Sequence, residues 1–297
     1  MGEAVTNGFT EKFYGSTDGL KLYARHYQPT GGEPDRLPIV CLPGLTRNAR
    51  DFHEIALLLS GDPLSPRRVI ALDYRGRGLS DRDANKANYN LAVECSDVIA
   101  ACAAFGIDRA IFIGTSRGGL ILHLLAAIKP ELLAGAVLND IGPVIEAAGL
   151  MAIRDYLNRD RRPQSWSEAV DILKENHGAY FPALGFTDWD GMANAIYREQ
   201  NGVPVADYDH AIAEQLKAVD FSNPLPDLWP QFESLRSIPL LVIRGENSNL
   251  LSRQTTDEMT KRHPRIVQIT AKGQGHAPLL HLGGIPETIG RFVSKLS

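Results

Sequence analysis

Six short apolar runs, each ending at a turn, constrain the fold of this chain more than any other feature. They are Pro38–Leu42, Arg68–Leu72, Ala110–Ile113, Ala136–Leu138, Leu240–Ile243 and Arg265–Ile269. Continuous apolar runs of this length are typical of strands buried on both faces, as in a parallel sheet. Helix-like stretches lie between them at Phe52–Leu59, Asn90–Phe105 and Leu120–Ala127. The alternation predicts an α/β fold with helices on both faces of a mostly parallel sheet.

Two segments depart from this rhythm. Residues 13–27, which alternate in polarity around Asp18-Gly19, predict an antiparallel hairpin. About a hundred residues separate Asp140 from Leu240, far more than a crossover needs. This interval contains helix-like stretches at 165–178, 189–202 and 208–219 and all three tryptophans. We therefore expect a helical cap at 142–235 inserted into a core of 1–141 and 236–297.

Composition narrows the classes of partner. The chain has 297 residues and a net charge of −4, which argues against nucleic-acid binding. It has no apolar run of the ~20 residues that a membrane span requires. Three cysteines without metal-ligand spacing favour buried thiols in a reducing compartment. We therefore expect a cytoplasmic protein that acts on a small molecule without a metal or cofactor, and the sequence leaves its oligomeric state open.

The sequence from Gly114 to Gly118 reads Gly-Thr-Ser-Arg-Gly, directly after one apolar run and before a helix-like stretch. Gly-x-Ser-x-Gly in this context is the pattern of a nucleophile elbow. Such a turn is so tight that side chains at the two glycine positions would clash with the backbone. The turn would raise the Ser116 hydroxyl to the carboxyl end of the sheet, at the N-terminus of the next helix.

Together with other ordered motifs, this pattern resembles the α/β-hydrolase superfamily over nearly the whole chain. The motifs are CLPGLTRNARDF (41–52), LDYRGRGLSD (72–81), GTSRGG (114–119), RGENSNLLS (244–252) and GQGHAP (273–278). The resemblance implies that Ser116 is the nucleophile and His276 its general base. It also implies that the backbone N–H groups of Leu45 and Arg117 form an oxyanion hole.

The residues alone also favour His276. Serine needs an adjacent base to become nucleophilic near neutral pH. Of the eight histidines, His276 alone lies in a glycine-flanked loop after the last predicted strand. We prefer it to His281, which lies near a predicted helix start, because a loop suits proton shuttling.

The position of the catalytic acid is unusual. Where the resemblance implies an aspartate after the penultimate strand, this chain has Asn249. An amide can accept a hydrogen bond from histidine, but it cannot stabilise an imidazolium by charge. Three explanations are open, in the order in which we favour them: Asn249 is a laboratory replacement of aspartate, Asp140 after the sixth strand supplies the acid, or the natural protein uses a weakened triad.

A serine at the elbow favours hydrolysis of an ester, lactone or thioester through an acyl-enzyme. The expected cap is rich in aromatic residues, which favours a small, apolar substrate. Among them we expect Trp166, Trp189 and Tyr197 to line the pocket. The same fold also occurs in ligand receptors and cofactor-free oxygenases, which are the alternatives from another class of function.

Overall fold

An eight-stranded sheet forms the centre of the molecule, with the strand order β1-β2-β4-β3-β5-β6-β9-β10. The computed structural model describes residues 7–31, 36–159, 161–217, 219–221, 223 and 225–296. The strands are β1 (Thr10–Gly15), β2 (Lys21–Tyr27), β3 (Ile39–Leu42), β4 (Val69–Asp73), β5 (Ala110–Thr115), β6 (Leu133–Asn139), β7 (Tyr197–Gln200), β8 (Val203–Ala206), β9 (Leu240–Gly245) and β10 (Ile266–Ala271). From β4 to β10 the neighbours in this sheet are parallel, whereas β2 is antiparallel to β1 and β4. The predicted α/β class and opening hairpin are thus confirmed.

The described residues form helices that cover both faces of this sheet and further helices between β6 and β9. They are α1 (His53–Ser60), α2 (Leu91–Ala104), α3 (Arg117–Ile128), α4 (Ala147–Asn158), α5 (Trp166–His177), α6 (Phe186–Ile196), α7 (Ala211–Lys217), α8 (Trp229–Glu233), α9 (Arg253–Arg262) and α10 (Ile285–Val293). Short 3-10 helices occur at Ala49–Phe52, Lys86–Asn88, Pro130–Leu132 and Gly178–Tyr180. Within the described residues, no helix is both long and apolar enough to cross a lipid bilayer.

The six apolar runs are continuous because the sheet is buried on both sides. Val40 and Leu42 of β3 belong to the hydrophobic cluster that includes residues of α2 and α3. Ile39 and Cys41, which alternate with them, belong to the cluster on the opposite face, with residues of α1 and α10. Side chains of a strand point alternately to the two faces, so a strand between two helical layers needs an apolar residue at every position.

The segment between β6 and β9, residues 140–239, is called the inserted segment below. It contains α4 to α8, of which α5, α6 and α7 were expected from its helix-like stretches, and a two-stranded sheet that was not expected. Residues 189–202 were expected to be helical, but the helix ends at Ile196 and β7 pairs with β8. Asn201 and Gly202 have φ angles of 54° and 82°, the left-handed conformation of a type I′ hairpin turn.

Polar contacts attach the inserted segment to the loops after β3 and β4. Arg50 donates to a carboxylate oxygen of Asp207 and to the carbonyl oxygen of Tyr197, at 2.7 and 3.2 Å. The backbone N–H of Gly78 donates to the carbonyl oxygen of Asp207 at 2.9 Å. These loops lie at the carboxyl ends of their strands, so the segment lies over that edge of the sheet. The division at 141/142 and 235/236 remains a prediction.

Gly118 provides a test of this packing. A Cβ atom at this position would lie 2.1 Å from the carbonyl oxygen of Leu42 in β3, whereas a Cβ at Gly191, exposed within α6, would meet nothing within 4 Å. We expect Gly118→Ala to lower the free energy of unfolding by more than about 2 kcal/mol, because rigid backbone must move. Gly191→Ala should raise it by about 0.5–1 kcal/mol through helix propensity. Urea unfolding of both variants measures the difference, and equal effects would contradict the close approach.

Candidate active site

Ser116 lies at the sharp turn between β5 and α3. Its φ and ψ angles are 50° and −112°, a conformation that L-residues rarely adopt. A Cβ atom at Gly114 would lie 2.7 Å from the backbone of Gly118, so neither flank of the turn has room for a side chain. The structure thus has the strained turn that the Gly-x-Ser-x-Gly pattern predicts, with the Ser116 hydroxyl directly before a helix.

A continuous chain of hydrogen bonds joins Ser116, His276 and Asp140. The Nε2 atom of His276 lies 2.9 Å from Oγ of Ser116. The Nδ1 atom of the same ring lies 2.8 Å from Oδ2 of Asp140. The His276 side chain is 11% exposed, and the Asp140 side chain is fully buried. The structure therefore brings together a hydroxyl, an imidazole and a buried carboxylate in the order that nucleophilic catalysis requires.

Asp140 is held from the loop after β9. Its Oδ1 accepts the backbone N–H of Gly245 at 2.7 Å, and its Oδ2 accepts the hydroxyl of Ser248 at 2.6 Å. The φ angle of Asp140 is 55°, so the chain turns sharply directly after β6. Together these contacts fix the carboxylate towards the His276 ring.

Asn249, which stands where the resemblance implies the acid, makes no hydrogen bond to His276 among those of the described residues. The ring nitrogen of His276 that would contact it is bonded to Asp140 instead. In the loop after β9, it is the preceding Ser248 that reaches the carboxylate, while Asn249 lines the neighbouring cavity. Of the three explanations for the asparagine, the geometry favours an acid at Asp140, and no replaced aspartate is needed to account for it.

Two backbone N–H groups near Ser116 are available to a ligand. Arg117 is the first residue of α3, where an N–H has no partner within the helix. Leu45 lies in the loop after β3 and lines the same cavity as Ser116. Neither N–H group donates to a backbone carbonyl in the part of the chain that the structure describes.

Asp73 connects the loops beside the site. Its Oδ1 accepts the N–H of Ala49 at 2.7 Å, and its Oδ2 accepts the N–H of Leu79 at 2.9 Å. Complete burial raises the pKa of Asp73 to about 6, although these hydrogen bonds act in the opposite direction. The loop after β3 and the loop after β4 therefore each have a backbone N–H group hydrogen-bonded to the Asp73 carboxyl group.

A cavity of about 800 Å³ opens onto Ser116 and His276. Of the three aromatic residues expected in the pocket, Tyr197 lines it, whereas Trp166 and Trp189 do not. Trp189 is only 5% exposed and belongs to a separate hydrophobic cluster of the inserted segment, against which Trp166 also packs. The expectation for both tryptophans is therefore corrected: they stabilise the inserted segment internally.

The cavity also contains polar residues that the sequence reasoning did not single out for the site. Arg47 and His177 line it, together with Tyr156. Arg47 lies in the loop motif around Leu45, so the sequence could have indicated that it is near the site. Nothing in the local sequence shows that α5 ends at the same cavity with His177. Among the described residues, no group of three His, Cys, Asp or Glu side chains is arranged to hold a metal ion.

Comparison with known proteins identifies the family. Residues 38–281 match the family model described as the alpha/beta hydrolase fold. The chain belongs to the α/β-hydrolase family. This α/β-hydrolase is 31% identical over 265 residues to a 3-hydroxybutyrate-oligomer hydrolase of Cupriavidus necator, covering 86% of this chain and 88% of that protein. It is 26% identical to esterase YbfF of Escherichia coli, covering 86% and 92% of the two chains.

A solved structure supports the same conclusion. The crystal structure of an alpha/beta hydrolase from Novosphingobium aromaticivorans superimposes with a TM-score of 0.90 and 39% sequence identity, covering 98% of this chain and all of that one. The expected fold family is thus confirmed, as is the expectation that the chain is a hydrolytic enzyme.

The position of the acid can be tested with two amide exchanges. We expect Asp140→Asn to lower kcat for an ester by about 10³–10⁴-fold, because a neutral amide cannot stabilise the imidazolium and favours the wrong tautomer. Asn249→Asp should change kcat by less than about threefold, since His276 already has its carboxylate partner. Steady-state kinetics, with thermal unfolding to verify folding, measures both. A large gain in Asn249→Asp beside a mild loss in Asp140→Asn would return the acid to position 249.

Proposed function

We propose that this α/β-hydrolase cleaves small carboxylic esters, lactones or thioesters through an acyl-enzyme. Ser116 is the nucleophile, His276 the general base and Asp140 the acid of the triad. The observation that carries the proposal is the unbroken hydrogen-bonded chain from Oγ of Ser116 through both ring nitrogens of His276 to Oδ2 of Asp140. Esterase activity agrees with the names of the relatives above.

The first half of the reaction forms the acyl-enzyme. As Oγ of Ser116 attacks the carbonyl carbon, Nε2 of His276 accepts the hydroxyl proton. The carbonyl oxygen becomes an oxyanion, which accepts hydrogen bonds from the N–H groups of Leu45 and Arg117. The helix dipole of α3 stabilises the same negative charge. When the intermediate collapses, His276 returns the proton to the leaving alcohol or thiol.

The second half repeats these steps with water as the nucleophile. His276 accepts a proton from water, which attacks the acyl carbon, and then returns a proton to Oγ of Ser116. In both halves Asp140 accepts the hydrogen bond from Nδ1–H and stabilises the imidazolium by its charge. Because Gly245 and Ser248 already donate to this buried carboxylate, it remains oriented throughout the cycle.

The cavity supports a small substrate. Its volume of about 800 Å³ lies within the range typical of ligand pockets. Ile153, Leu173 and Leu279 give part of the lining an apolar character. In this proposal the inserted segment is a cap that covers the acyl-enzyme, and a short apolar acyl or alcohol group packs beneath it.

Active-site labelling tests the nucleophile directly. A fluorophosphonate should form a covalent adduct with Oγ of Ser116, which peptide mapping by mass spectrometry would locate. Ser116→Ala should abolish both the adduct and ester turnover. Ser294→Ala, at an exposed serine after α10, is the matched control and should retain them.

An adduct at another residue, or turnover that persists in Ser116→Ala, would contradict the proposal. A folded wild-type protein that neither reacts nor turns over any ester would favour a ligand receptor.

A further inference from the structure

We propose that the cavity contains a carboxylate subsite centred on Arg47. The preferred substrate is then an ester that has a carboxylate a few bonds from the ester group, on a short apolar chain. This inference rests on the proposed hydrolysis at Ser116 and specifies its substrate class.

Arg47 is close to the reacting hydroxyl. It lies two residues after Leu45 and lines the cavity together with Ser116 and His276. A Cβ atom built on Gly44 would be 3.3 Å from Cγ of Arg47 and 3.9 Å from Cβ of Ser116. The side chains of Arg47 and Ser116 therefore both border the space beside Gly44, so a group attached to an ester at Ser116 can extend to Arg47.

The guanidinium group is oriented by Asp51. The carboxylate of Asp51 accepts Nε–H and Nη2–H of Arg47 at 2.7 and 2.5 Å, a bidentate arrangement. Among the hydrogen bonds of the described residues, none engages Nη1 of Arg47. The planar guanidinium is thus held in place, and three of its five N–H donors, two of them on Nη1, remain for an anion.

Neutral hydrogen-bond donors surround this group. Burial lowers the pKa of His177 to about 4, and the charges of Arg47 and His276 act in the same direction. The ring is therefore neutral at pH 7 and retains one N–H donor. Burial raises the pKa of Tyr156 and of Tyr197, so both hydroxyls stay protonated. Apart from its Asp51 partner, Arg47 therefore has neutral N–H and O–H donors near it, which suit a carboxylate better than they suit an ammonium group.

The charge of the cavity points the same way. Among the described residues that line it, three are acidic and six are arginines: Arg47, Arg82, Arg159, Arg161, Arg162 and Arg198. The whole chain, in contrast, has a net charge of −4. Because Arg47, Arg161 and Arg198 pair with Asp51, Glu175 and Asp207, only part of this excess acts on a ligand. The sign of the excess favours an anion at the mouth of the cavity.

Matched pairs of esters test the subsite. The first pair is monoethyl glutarate and ethyl 5-methylhexanoate, in which an isopropyl group replaces the carboxylate on the acyl side. The second is 4-acetoxybutanoate and 4-methylpentyl acetate, which differ in the same way on the alcohol side. We expect kcat/KM, measured by pH-stat at low salt, to be at least about tenfold higher for the anion in one pair.

Variants assign that preference to Arg47. Arg47→Gln should bring the ratio of the two kcat/KM values close to one, and the double variant Arg47→Gln/Asp51→Asn should do the same without an unpaired carboxylate. Arg253→Gln, which removes an equal charge from exposed α9, should keep the ratio.

Equal kcat/KM values for the neutral and the anionic ester of both pairs would overturn the subsite and leave the proposed hydrolysis intact. A preference that survives in both Arg47 variants would also overturn it. No turnover of any ester, with no fluorophosphonate adduct at Ser116, would overturn the hydrolysis itself and the subsite with it.

A separate observation concerns the oxyanion hole. We infer that Glu94 is a positioning residue for both proposed N–H donors. Its Oε1 accepts Nη1 of Arg77 at 2.7 Å, and its Oε2 accepts Nε of Arg117 at 2.6 Å. Arg77 in turn donates its Nε–H to the carbonyl oxygen of Leu45 at 2.9 Å. One buried carboxylate on α2 thereby connects Leu45 with Arg117.

Burial makes this connection rigid. The side chains of Glu94 and Arg77 are fully buried, and that of Arg117 is 13% exposed. Charge-assisted hydrogen bonds are stronger in such surroundings than at the surface. Because Glu94 lies outside the cavity lining, it acts only through the two residues whose N–H groups would bind the oxyanion.

Glu94→Gln keeps one acceptor oxygen, so it can accept a hydrogen bond from only one of the two arginines. We expect kcat, and the affinity for a trifluoromethyl ketone that forms an oxyanion on Ser116, to fall together by about tenfold. KM should change by less than about twofold. Asp97→Asn is the matched control: this equally buried carboxylate of α2 binds Arg75, which has no contact with Leu45 or Arg117 among the hydrogen bonds of the described residues.

If Glu94→Gln does not fold, Arg77→Lys keeps a positive charge beside Glu94 but removes the donor to Leu45, and we expect the same joint loss. Equal loss of ketone affinity in Asp97→Asn and Glu94→Gln would show a general structural effect and overturn the inference. Unchanged affinity in folded Glu94→Gln would also overturn it. A wild-type enzyme that binds no ketone and turns over no ester would instead contradict the proposed hydrolysis.

Discussion

Both ring nitrogens of His276 are engaged in hydrogen bonds to protein side chains, and the strand order of the sheet makes this possible. Ser116 follows β5 and Asp140 follows β6, while His276 comes from the loop after β10. These strands, with β9 between β6 and β10, are parallel neighbours. Their carboxyl ends lie side by side, so residues separated by 160 positions come within 2.9 Å. The cavity and the inserted segment are arranged around this contact.

Much of this arrangement follows from local sequence. The elbow is predictable because the backbone passes so close to positions 114 and 118 that a side chain there would clash. Any sequence that forms this turn therefore needs glycine at both positions. The carboxylate partner of His276 was harder to place because β6 and β9 are neighbours, and a carboxylate at the end of either strand can reach the same imidazole. The φ angle of 55° at Asp140 directs its side chain, and an aspartate in the sequence does not reveal that conformation.

The inserted segment shows two other limits. The Asn201-Gly202 pair is a strong hairpin signal. It lies at the end of a helix-like stretch, however, and the periodicity of that stretch predicts that the helix continues to Gly202. Trp166 and Trp189 were expected in the pocket because they are large and apolar. The inserted segment also needs a hydrophobic cluster of its own. The sequence does not show whether an aromatic residue packs in that cluster or lines the substrate cavity.

A carboxylate presented after β6 changes what the loop after β9 must provide. Gly245 supplies a backbone amide and Ser248 a hydroxyl, and Arg244 braces the same loop by donating to the carbonyl oxygen of Leu251 at 2.8 Å. With Asp140 as the proposed acid, position 249 takes no part in proton transfer, and it lies at the wall of the cavity. Substitutions at position 249 can therefore change the shape of the cavity, and with it the substrate selectivity, while the proposed triad stays intact.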